Sequence, residues 1–506
     1  LIISRSSVEC DLGNMAIAGK VDLAEQSLAD MPGVLAAQPW QLEGVVDLAQ
    51  VAAMLPDTLG LRADTQVTSG QARFSMESRR GEDGMTWQGQ LASDALKAVS
   101  GGRQVSWDQP VVIHFVANET KDGPPAGELR CQSEFLKLHA AGTTSQFAAD
   151  ASFHLDRLME QLEQFIDLGS LDLSGEGWSH LAWQRTPEGS FEADLELHVQ
   201  GLHVALPDRP PWAEPELVVF AKSSGSTDFD RDTRVDSASI QVAAGGERLD
   251  ARLLRPVLEL REGGAWPIGV EMQGDLANWP PRMAMAWDLG DYAMAGRYEL
   301  KGEATVSPKT LHLAGMTLHV DALEMTLPGM QIAEPQAEVQ LTGVWNSETA
   351  RLSFEQTTLR TTSFAAVTQD LAITLAGGQF ALTGTVAYQG QLRGLQQWIR
   401  DSASASWQLD GRLVGSSRFE HVGGKTHGVI EADIENLQVT GAGGPPFQDP
   451  RVRLAGRGSY DAASHAIVLD GLKLTSQTLG MDGQGTVNMS GETAVVQFGG
   501  QMEYDM

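Results

Sequence analysis

Histidines are the side chains best suited to acid–base or metal chemistry, but their spacing favours neither. The chain has 11 histidines in 506 residues, and none belongs to an HExxH or comparable ligand motif. His203 and His319 fall in alternating stretches, which predicts solvent-facing strand positions. Gly-x-Ser-x-Gly and Walker A sequences are also missing. We therefore predict a protein that is not an enzyme, with no catalytic residues, no metal and no cofactor.

Two weaker chemical patterns are present. Asp228-Phe229-Asp230-Arg231-Asp232 resembles the start of a calcium loop, but Thr233 stands where Gly is required and no Glu closes the loop. A polar hairpin turn is the preferred interpretation. The 66 acidic residues could supply a carboxylate pair for glycoside hydrolysis, and the 12 tryptophans could stack on sugars. A carbohydrate-active or carbohydrate-binding β protein is therefore kept as an alternative.

The overall charge excludes one class of partner. Acidic residues outnumber basic ones by 66 to 36, which gives a formal net charge of −30. Because binding to a phosphate backbone depends on Lys and Arg, we predict no nucleic-acid partner. The two cysteines, Cys10 and Cys131, have no CxxC or zinc spacing, and their redox state stays open.

No segment of the sequence reads as a membrane-spanning helix. The longest apolar run, near Val111–Ala117, is far shorter than the ~20 residues that a spanning helix needs. The chain begins at Leu1 without a signal-peptide pattern, and Val495–Phe498 reads as a strand that leads onward. We expect a fragment of a longer protein, with any membrane anchor outside it.

Two landmarks recur along the chain at about 105 to 120 residues and predict about four repeats. The first is a polar or acidic residue followed closely by Pro and then an alternating strand. It occurs at Asp108-Gln109-Pro110, Glu214-Pro215, Glu334-Pro335 and Asp449-Pro450. The second is a short apolar helix near residues 47–55, 156–165, 275–279 and 391–399, with Pro280 and Pro281 expected to cut the third helix short.

The segments between the landmarks alternate in polarity. In Phe191–Val199 the odd positions are apolar and the even ones polar, and Val320–Leu327 and Ile430–Glu435 are read in the same way. An alternation with a period of two residues and one polar face indicates an antiparallel sheet with one face exposed to solvent. A Gly-punctuated strand after each helix, as at Gly70, Gly175, Gly302 and Gly411, indicates bulges or bends.

These patterns predict an all-β fold with short helices, in which tandem antiparallel β-meanders plus one helix form an extended, twisted, groove-like sheet. The predicted repeats cover residues 1–110, 111–215, 216–335 and 336–450, and a fifth repeat begins at 451–506. We expect the first repeat to be truncated at its N-terminus and the last at its C-terminus. The predicted lining of the apolar groove is Phe191, Ala193, Leu195, Leu197, Val199, Val320, Ala322, Ile430, Ala432 and Ile434.

The repeat texture resembles a known family. Gly44-Val45-Val46-Asp47-Leu48 leads into a short helix and is followed by short strands with Leu-x-Leu and Gly breaks, which is similar to the AsmA-like and TamB-like proteins of the bacterial envelope. The resemblance covers nearly the whole chain. It implies a long β-groove, an inner-membrane anchor, a periplasmic location, and bridge-like phospholipid transfer or outer-membrane homeostasis.

On the resemblance, the expected partners are a phospholipid or other acyl lipid, a membrane reached through an anchor outside this chain, and envelope proteins that the sequence does not identify. The alternative is a structural or adhesive β-repeat scaffold whose apolar faces pack into closed cores. The sequence leaves open the identity of the lipid, the direction of transport and the oligomeric state.

Overall fold

A computed structural model confirms the predicted all-β class with few helices. It describes residues 2–20, 38–56, 58–82, 84–119, 124–169, 171–207, 209–228, 233–258, 264–284, 293–327, 330–376, 379–398, 407–441, 446–488 and 495–504. Of the strands described, 27 belong to one large antiparallel sheet and three to a small second sheet. The chain divides into two compact units, with Leu1–Gly245 in unit 1 and Gly246–Met283 and Leu289–Met506 in unit 2.

Unit 1 is an antiparallel meander in which each strand of the main sheet pairs with the next one along the chain. Its strands are β1 (Ile2–Cys10), β2 (Gly13–Lys20), β3 (Trp40–Asp47), β5 (Gln71–Arg80), β6 (Met85–Ser93), β9 (Val112–Asn118), β10 (Ala126–Gln132), β11 (Leu136–Thr143), β12 (Gln146–His154), β13 (Asp172–Arg185), β14 (Ser190–Ala205), β15 (Trp212–Thr227) and β16 (Thr233–Ala244). The small sheet consists of β4 (Thr65–Ser69), β7 (Leu96–Ser100) and β8 (Arg103–Trp107).

Unit 2 continues the same nearest-neighbour pairing with longer strands, up to the 18 residues of β20. Its strands are β17 (Glu247–Leu253), β18 (Trp266–Asp275), β19 (Ala293–Val306), β20 (Thr310–Leu327), β21 (Met330–Asn346), β22 (Arg351–Thr361), β23 (Phe364–Ala376), β24 (Gln379–Gln391), β25 (Trp407–Val422), β26 (Lys425–Gly441), β27 (Phe447–Asp461), β28 (Ala466–Thr475), β29 (Leu479–Asn488) and β30 (Val495–Tyr504).

Short helices occur at the four places where the sequence predicted them. They are α1 (Leu48–Met54), α2 (Leu155–Leu162), a 3-10 turn (Leu276–Asn278) that runs into α3 (Trp279–Ala284), and α4 (Leu392–Gln396). Asp47 caps α1 by accepting hydrogen bonds from the amides of Ala49 and Gln50 at 2.9 and 3.1 Å. Such a cap satisfies amides that lack a partner in the first helical turn. The end of the predicted fourth helix, Ile399, lies outside the described residues.

The role expected of Pro280 and Pro281 was wrong. They do not end the third helical stretch but lie in the first turn of α3, directly after Trp279. The first-turn amides of a helix have no intrahelical partner, so proline costs little there and its fixed φ favours the helix. The third helical stretch is therefore longer than the sequence suggested.

Bulges interrupt the strands at corresponding places after three of the helices. Gly175, Gly296 and Gly411 have φ of 133°, 130° and 138°, and the strand register shifts at each of them. They are about 120 and 115 residues apart, as the predicted period requires. The partner strands carry a left-handed residue nearby, namely Gly201, Ala322 or Asn436, at φ of 59°, 52° and 54°.

The two compact units do not coincide with the predicted repeat boundaries, and those boundaries stay predictions. The division at Gly245 lies within the predicted third repeat. Within the described part of the chain, the helices are all too short or too polar to cross a bilayer.

Candidate functional site

In unit 1, apolar side chains from successive strands stand next to one another on one face of the sheet. Residues directly opposite each other in an antiparallel ladder share a face, so the pairings can be followed across the unit. One such row is Val8, Met15, Gly44, Phe74, Leu91, Ile113, Cys131, Leu138, Ala151, Ser179, Leu197, Val219 and Val242. It takes one residue from every strand of the main sheet in unit 1, and none of them is charged.

The neighbouring rows on that face have the same character. The next row along the strands includes Phe115, Leu129, Ala140, Ala149, Leu181, Leu195, Ala221 and Ile240. The row beyond it includes Trp40, Ser78, Trp87, Ala117, Phe147, Trp183 and Ala193. The uncharged surface is therefore several rows wide.

Unit 2 repeats the arrangement over its 14 strands. The corresponding row is Leu249, Met272, Leu300, Leu318, Val339, Leu359, Ala366, Tyr388, Gly415, Ala432, Leu454, Leu474, Met481 and Met502. At ~4.8 Å between strands, it runs for about 60 Å. We call the side of each unit's sheet that holds these rows the apolar face.

The opposite face of the sheet is polar. One residue further along each strand of unit 1, the side chains point to this opposite face. They form a row of Arg130, His139, Asp150, His180 and Glu196. Hydrogen bonds join members of this face, as between His180 Nδ1 and Asp150 Oδ1 at 2.7 Å. Most ionic side chains here are solvent-exposed, which is where such pairs contribute little to stability. The two faces therefore differ in the charge that they present to solvent.

Nine of the ten predicted lining residues lie on the apolar face. Leu195 pairs with Leu181 and Ala221, Val320 with Tyr298 and Ala337, and Ile430 with Ser417 and Gly456. The other six are distributed along the same strands, β14 and β26. They are Phe191, Ala193, Leu197, Val199, Ala432 and Ile434.

Ala322 departs from the predicted alternation. It is exposed, has φ of 52°, and lies where the register between β19 and β20 shifts. The bulge resets the alternation by one residue, so that the buried residue after Val320 is Leu323 and not Ala322. A strict two-residue period cannot anticipate this reset.

Much of the apolar face is only partly covered. Leu195 and Ile430 each keep 37 % of their surface exposed, and Met502 keeps 70 %. Within the described residues no large side chain is fully buried. The interior of a β-sandwich, in which two sheets interdigitate at crystal-like density, would bury many.

Two small closed cores lie where helices meet the sheets. One gathers Ala52, Val67, Ala98 and Phe165 beside α1 and the small sheet. The other gathers Tyr298, Val320, Leu323 and Ala337, with Leu276 and Trp279 of the third helical stretch packed against it. Both involve the helix-bearing end of the strands, which we call the helix margin. The opposite strand ends form the distal margin.

Glycines on the apolar face provide room for aromatic rings of adjacent strands. A Cβ placed on Gly44 would lie 2.6 Å from Phe74 Cζ, and one on Gly415 would lie 2.8 Å from Tyr388 Cε2. Both distances are too short for any side chain, so each ring covers its glycine. This packing holds the large rings close to the backbone of the sheet. The spacing of the glycines in the sequence did not reveal this role.

Three of the four acidic residues of the first repeat landmark, Glu214, Glu334 and Asp449, are buried and bind backbone or indole N–H groups, whereas Asp108 is exposed. Glu334 accepts hydrogen bonds from the amides of Thr362 and Ser363 at 3.1 and 3.3 Å and from Trp398 Nε1 at 3.1 Å. Asp449 accepts from the Gln477 amide, and Glu214 from Trp212 Nε1. The sequence marked these positions but did not reveal their role in fixing turns and the segment after α4 at the helix margin.

A related buried carboxylate, Glu247, lies beneath the third helical stretch. It accepts hydrogen bonds from the Asp275 amide, from Asn278 and from the Tyr298 hydroxyl. Burial, together with this bond, raises the pKa of Tyr298 well above its ordinary value. The network fixes the helix to the sheet with the tyrosine in its neutral form.

The metal and thiol candidates that the structure describes lie apart from one another. The described His, Cys, Asp and Glu side chains form no group of three or more that could hold a metal ion. In the calcium-like segment, Asp228 is exposed, and residues 229–232 lie outside the described residues. Cys10 and Cys131 are free thiols, and burial raises the pKa of Cys131.

The comparisons with known proteins add no relative. No family model, curated protein or solved structure matches this chain. The functional argument therefore depends on the geometry of the two faces.

Proposed function

We propose that the chain carries acyl lipids along its apolar face, as a bridge-like phospholipid transfer protein of the bacterial envelope with a part in outer-membrane homeostasis. The observation that carries the proposal is the continuity of the uncharged rows, which take one residue from each successive strand in both units. A surface of this kind offers a tail the same environment at every step.

The size of the surface supports the proposal. Five rows of side chains about 6.8 Å apart along a length of about 60 Å cover on the order of 1,600 Å² in unit 2. Apolar side chains that are exposed within this footprint, such as Ile430 and Met502, call for an apolar partner.

The energetics of lipid movement define what such a surface must do. A two-chain lipid exposes ~30 methylenes in water at ~0.8 kcal/mol each, or ~24 kcal/mol in total. Side chains such as Leu195 and Ile430, which are partly exposed on the apolar face, remove much of that barrier by contact alone. No reacting group is needed.

The resemblance to AsmA-like and TamB-like proteins extends the proposal to location. By that resemblance, the protein would reside in the periplasm and be held at the inner membrane by a segment outside this chain. It would act with other envelope proteins. The scaffold alternative requires the apolar faces to interlock in closed cores. The two helix-margin cores are small and leave Leu195 and Ile430 exposed, which favours the lipid proposal.

Site-specific photocrosslinking tests the proposal. A photoreactive amino acid is placed at Leu195 or Ile430 on the apolar face, or at the adjacent Glu196 or Glu431 on the polar face, and lipid adducts are sought by mass spectrometry. Adducts are expected at Leu195 and Ile430 and not at the two controls. Equal labelling of the two faces, or no adduct at all, would contradict lipid carriage.

A further inference from the structure

The two margins of the apolar face in unit 2 differ in chemistry. At the helix margin, Trp279 packs edge-on against Tyr298 with ring centroids 5.9 Å apart, and Trp398 packs against Phe364 at 5.7 Å. Tyr298 is 4 % exposed. Helical segments thus cover the apolar face at two places along this margin, where the carboxylates of Glu247 and Glu334 are buried and already hydrogen-bonded.

The distal margin of unit 2 carries amphipathic side chains. Trp345 pairs with Leu311 and Leu352, and Tyr460 pairs with Ile467, in the last apolar row before the hairpin turns. Both rings are partly exposed. Tryptophan and tyrosine combine an apolar body with a polar tip, so they suit a boundary between hydrocarbon and water.

Beyond this row the hairpin turns are charged. Lys309 pairs with Glu348 at 2.6 Å, and Lys425 with Asp461 at 3.4 Å, and all four side chains are substantially exposed to solvent. Val496, in the same row as Trp345 and Tyr460, keeps 63 % of its surface exposed. The polar groups of the distal margin are therefore exposed to solvent, whereas Glu247 and Glu334 at the helix margin are buried.

We infer that lipids lie across the strands of unit 2 in single file, with their polar headgroups along the distal margin and their tails directed at the helix margin. The inference rests on the proposed function and adds the orientation of its cargo. The reason is the cost of desolvation, since burying a headgroup without hydrogen-bond partners is strongly unfavourable and Trp279 and Trp398 occupy the helix margin beside Tyr298 and Phe364.

The width of the face accommodates one lipid that lies across the strands. From Ala337 at the helix margin to Trp345 at the distal margin is a span of about 27 Å along β21. A tail of one bilayer leaflet occupies about 15 Å, half of the ~30 Å hydrocarbon core. Two lipids placed tail to tail would put one headgroup at the helix margin, where Trp279 and Trp398 pack against Tyr298 and Phe364.

Photoreactive phosphatidylethanolamine tests the orientation on the full chain. One probe carries a diazirine on the headgroup and the other on the terminal acyl carbon, and both are supplied in phosphatidylethanolamine vesicles. The labelled residues are mapped by mass spectrometry. Headgroup label is expected near Trp345 and Tyr460, and acyl label near Ile434, with at least a fivefold preference in each case.

The outcomes separate the two proposals. Headgroup label at the helix margin, or spread evenly over both margins, overturns the orientation while leaving lipid carriage intact. Absence of label from both probes overturns the proposed function and the orientation with it. A Trp345→Leu variant provides a second measurement. Acyl labelling at Ile434 should persist, while headgroup labelling near Tyr460 should become less localised. Unchanged localisation of the headgroup label would contradict a role for the aromatic row.

Discussion

At the scale of single residues, Ala322 shows how one conformational requirement competes with the sequence pattern. A non-glycine residue in the left-handed region costs about 1–2 kcal/mol, and Ala322 has φ of 52°. Ala322→Gly removes that cost but adds about 0.5–1 kcal/mol of unfolded-state entropy. We expect a net gain in unfolding free energy of about 0.5–1 kcal/mol, measured by urea denaturation.

The matched control for this prediction lies in the same strand. Ala314 is exposed in β20 and is not among the residues with positive φ. Ala314→Gly should therefore lower the unfolding free energy by about 0.5–1 kcal/mol. If both substitutions destabilise the protein equally, the bulge carries no strain.

Cys131 provides a native probe of the apolar face. Burial raises the pKa of its thiol, so at pH 8 its reactive thiolate fraction is smaller than that of an ordinary cysteine, and alkylation should accelerate as the pH rises further. In a Cys10→Ser variant, phosphatidylethanolamine vesicles should slow maleimide labelling of Cys131 severalfold, because bound tails would cover the row between Ile113 and Leu138.

The control places the thiol on the other face. His139 belongs to the polar row beside this position, so a Cys10→Ser, Cys131→Ser, His139→Cys variant should label at the same rate with or without vesicles. Equal protection at both positions would show that the vesicles act on the protein in general and not on the apolar face.

At the scale of elements, the buried carboxylates should fix the turns at the helix margin. Three N–H groups donate to Glu334, and Glu334→Gln replaces one accepting oxygen by an NH₂ group that cannot accept. Hydrogen bonds to a charged group contribute about 1.5–3 kcal/mol. Amide hydrogen exchange at Thr362 and Ser363 should therefore become roughly tenfold faster or more.

The effect should be specific to the buried acid. Glu355 is exposed on β22, and surface substitutions of this kind usually change stability by less than about 0.5 kcal/mol. Glu355→Gln should leave exchange at Thr362 and Ser363 unchanged. Unaltered exchange in Glu334→Gln would mean that the turn is held by its other contacts.

The alternation of single strands and their meander order could be predicted, but the register between strands could not. Phe191–Val199 contains no bulge, so its period of two placed all five apolar residues on one face. Glu334 was visible as a landmark, yet its partners lie 28 and 29 residues further on. Which residues become neighbours depends on the register of every intervening ladder, and register is set by turns and bulges that a local pattern does not specify.

At the scale of the whole chain, each unit joins many strands, each of which contributes a few uncharged side chains, into one long uncharged surface. No single row residue is essential, because the surface depends on the absence of charge and not on a particular side chain. The corresponding vulnerability is the introduction of a charge. A charged group in hydrocarbon costs about 2.5–3.5 kcal/mol, enough to slow passage past that point roughly a hundredfold.

Two adjacent alanines of β12 allow this to be tested on opposite faces. Ala149 lies between Ala140 and Leu181 on the apolar face, and Ala148 lies between Ala141 and Ala182 on the polar face. Both are partly exposed, so a glutamate at either site can reach water and the fold should persist. Ala149→Glu should lower the rate of fluorescent phospholipid transfer between vesicles at least tenfold, while Ala148→Glu leaves it within twofold of the unmodified chain.

The amount of lipid that co-purifies with Ala149→Glu should fall only in part, because the apolar face of the strands on either side of β12 remains uncharged. Equal transfer rates for the two variants would contradict carriage along the apolar face, since only one of them places charge in the path of the tails.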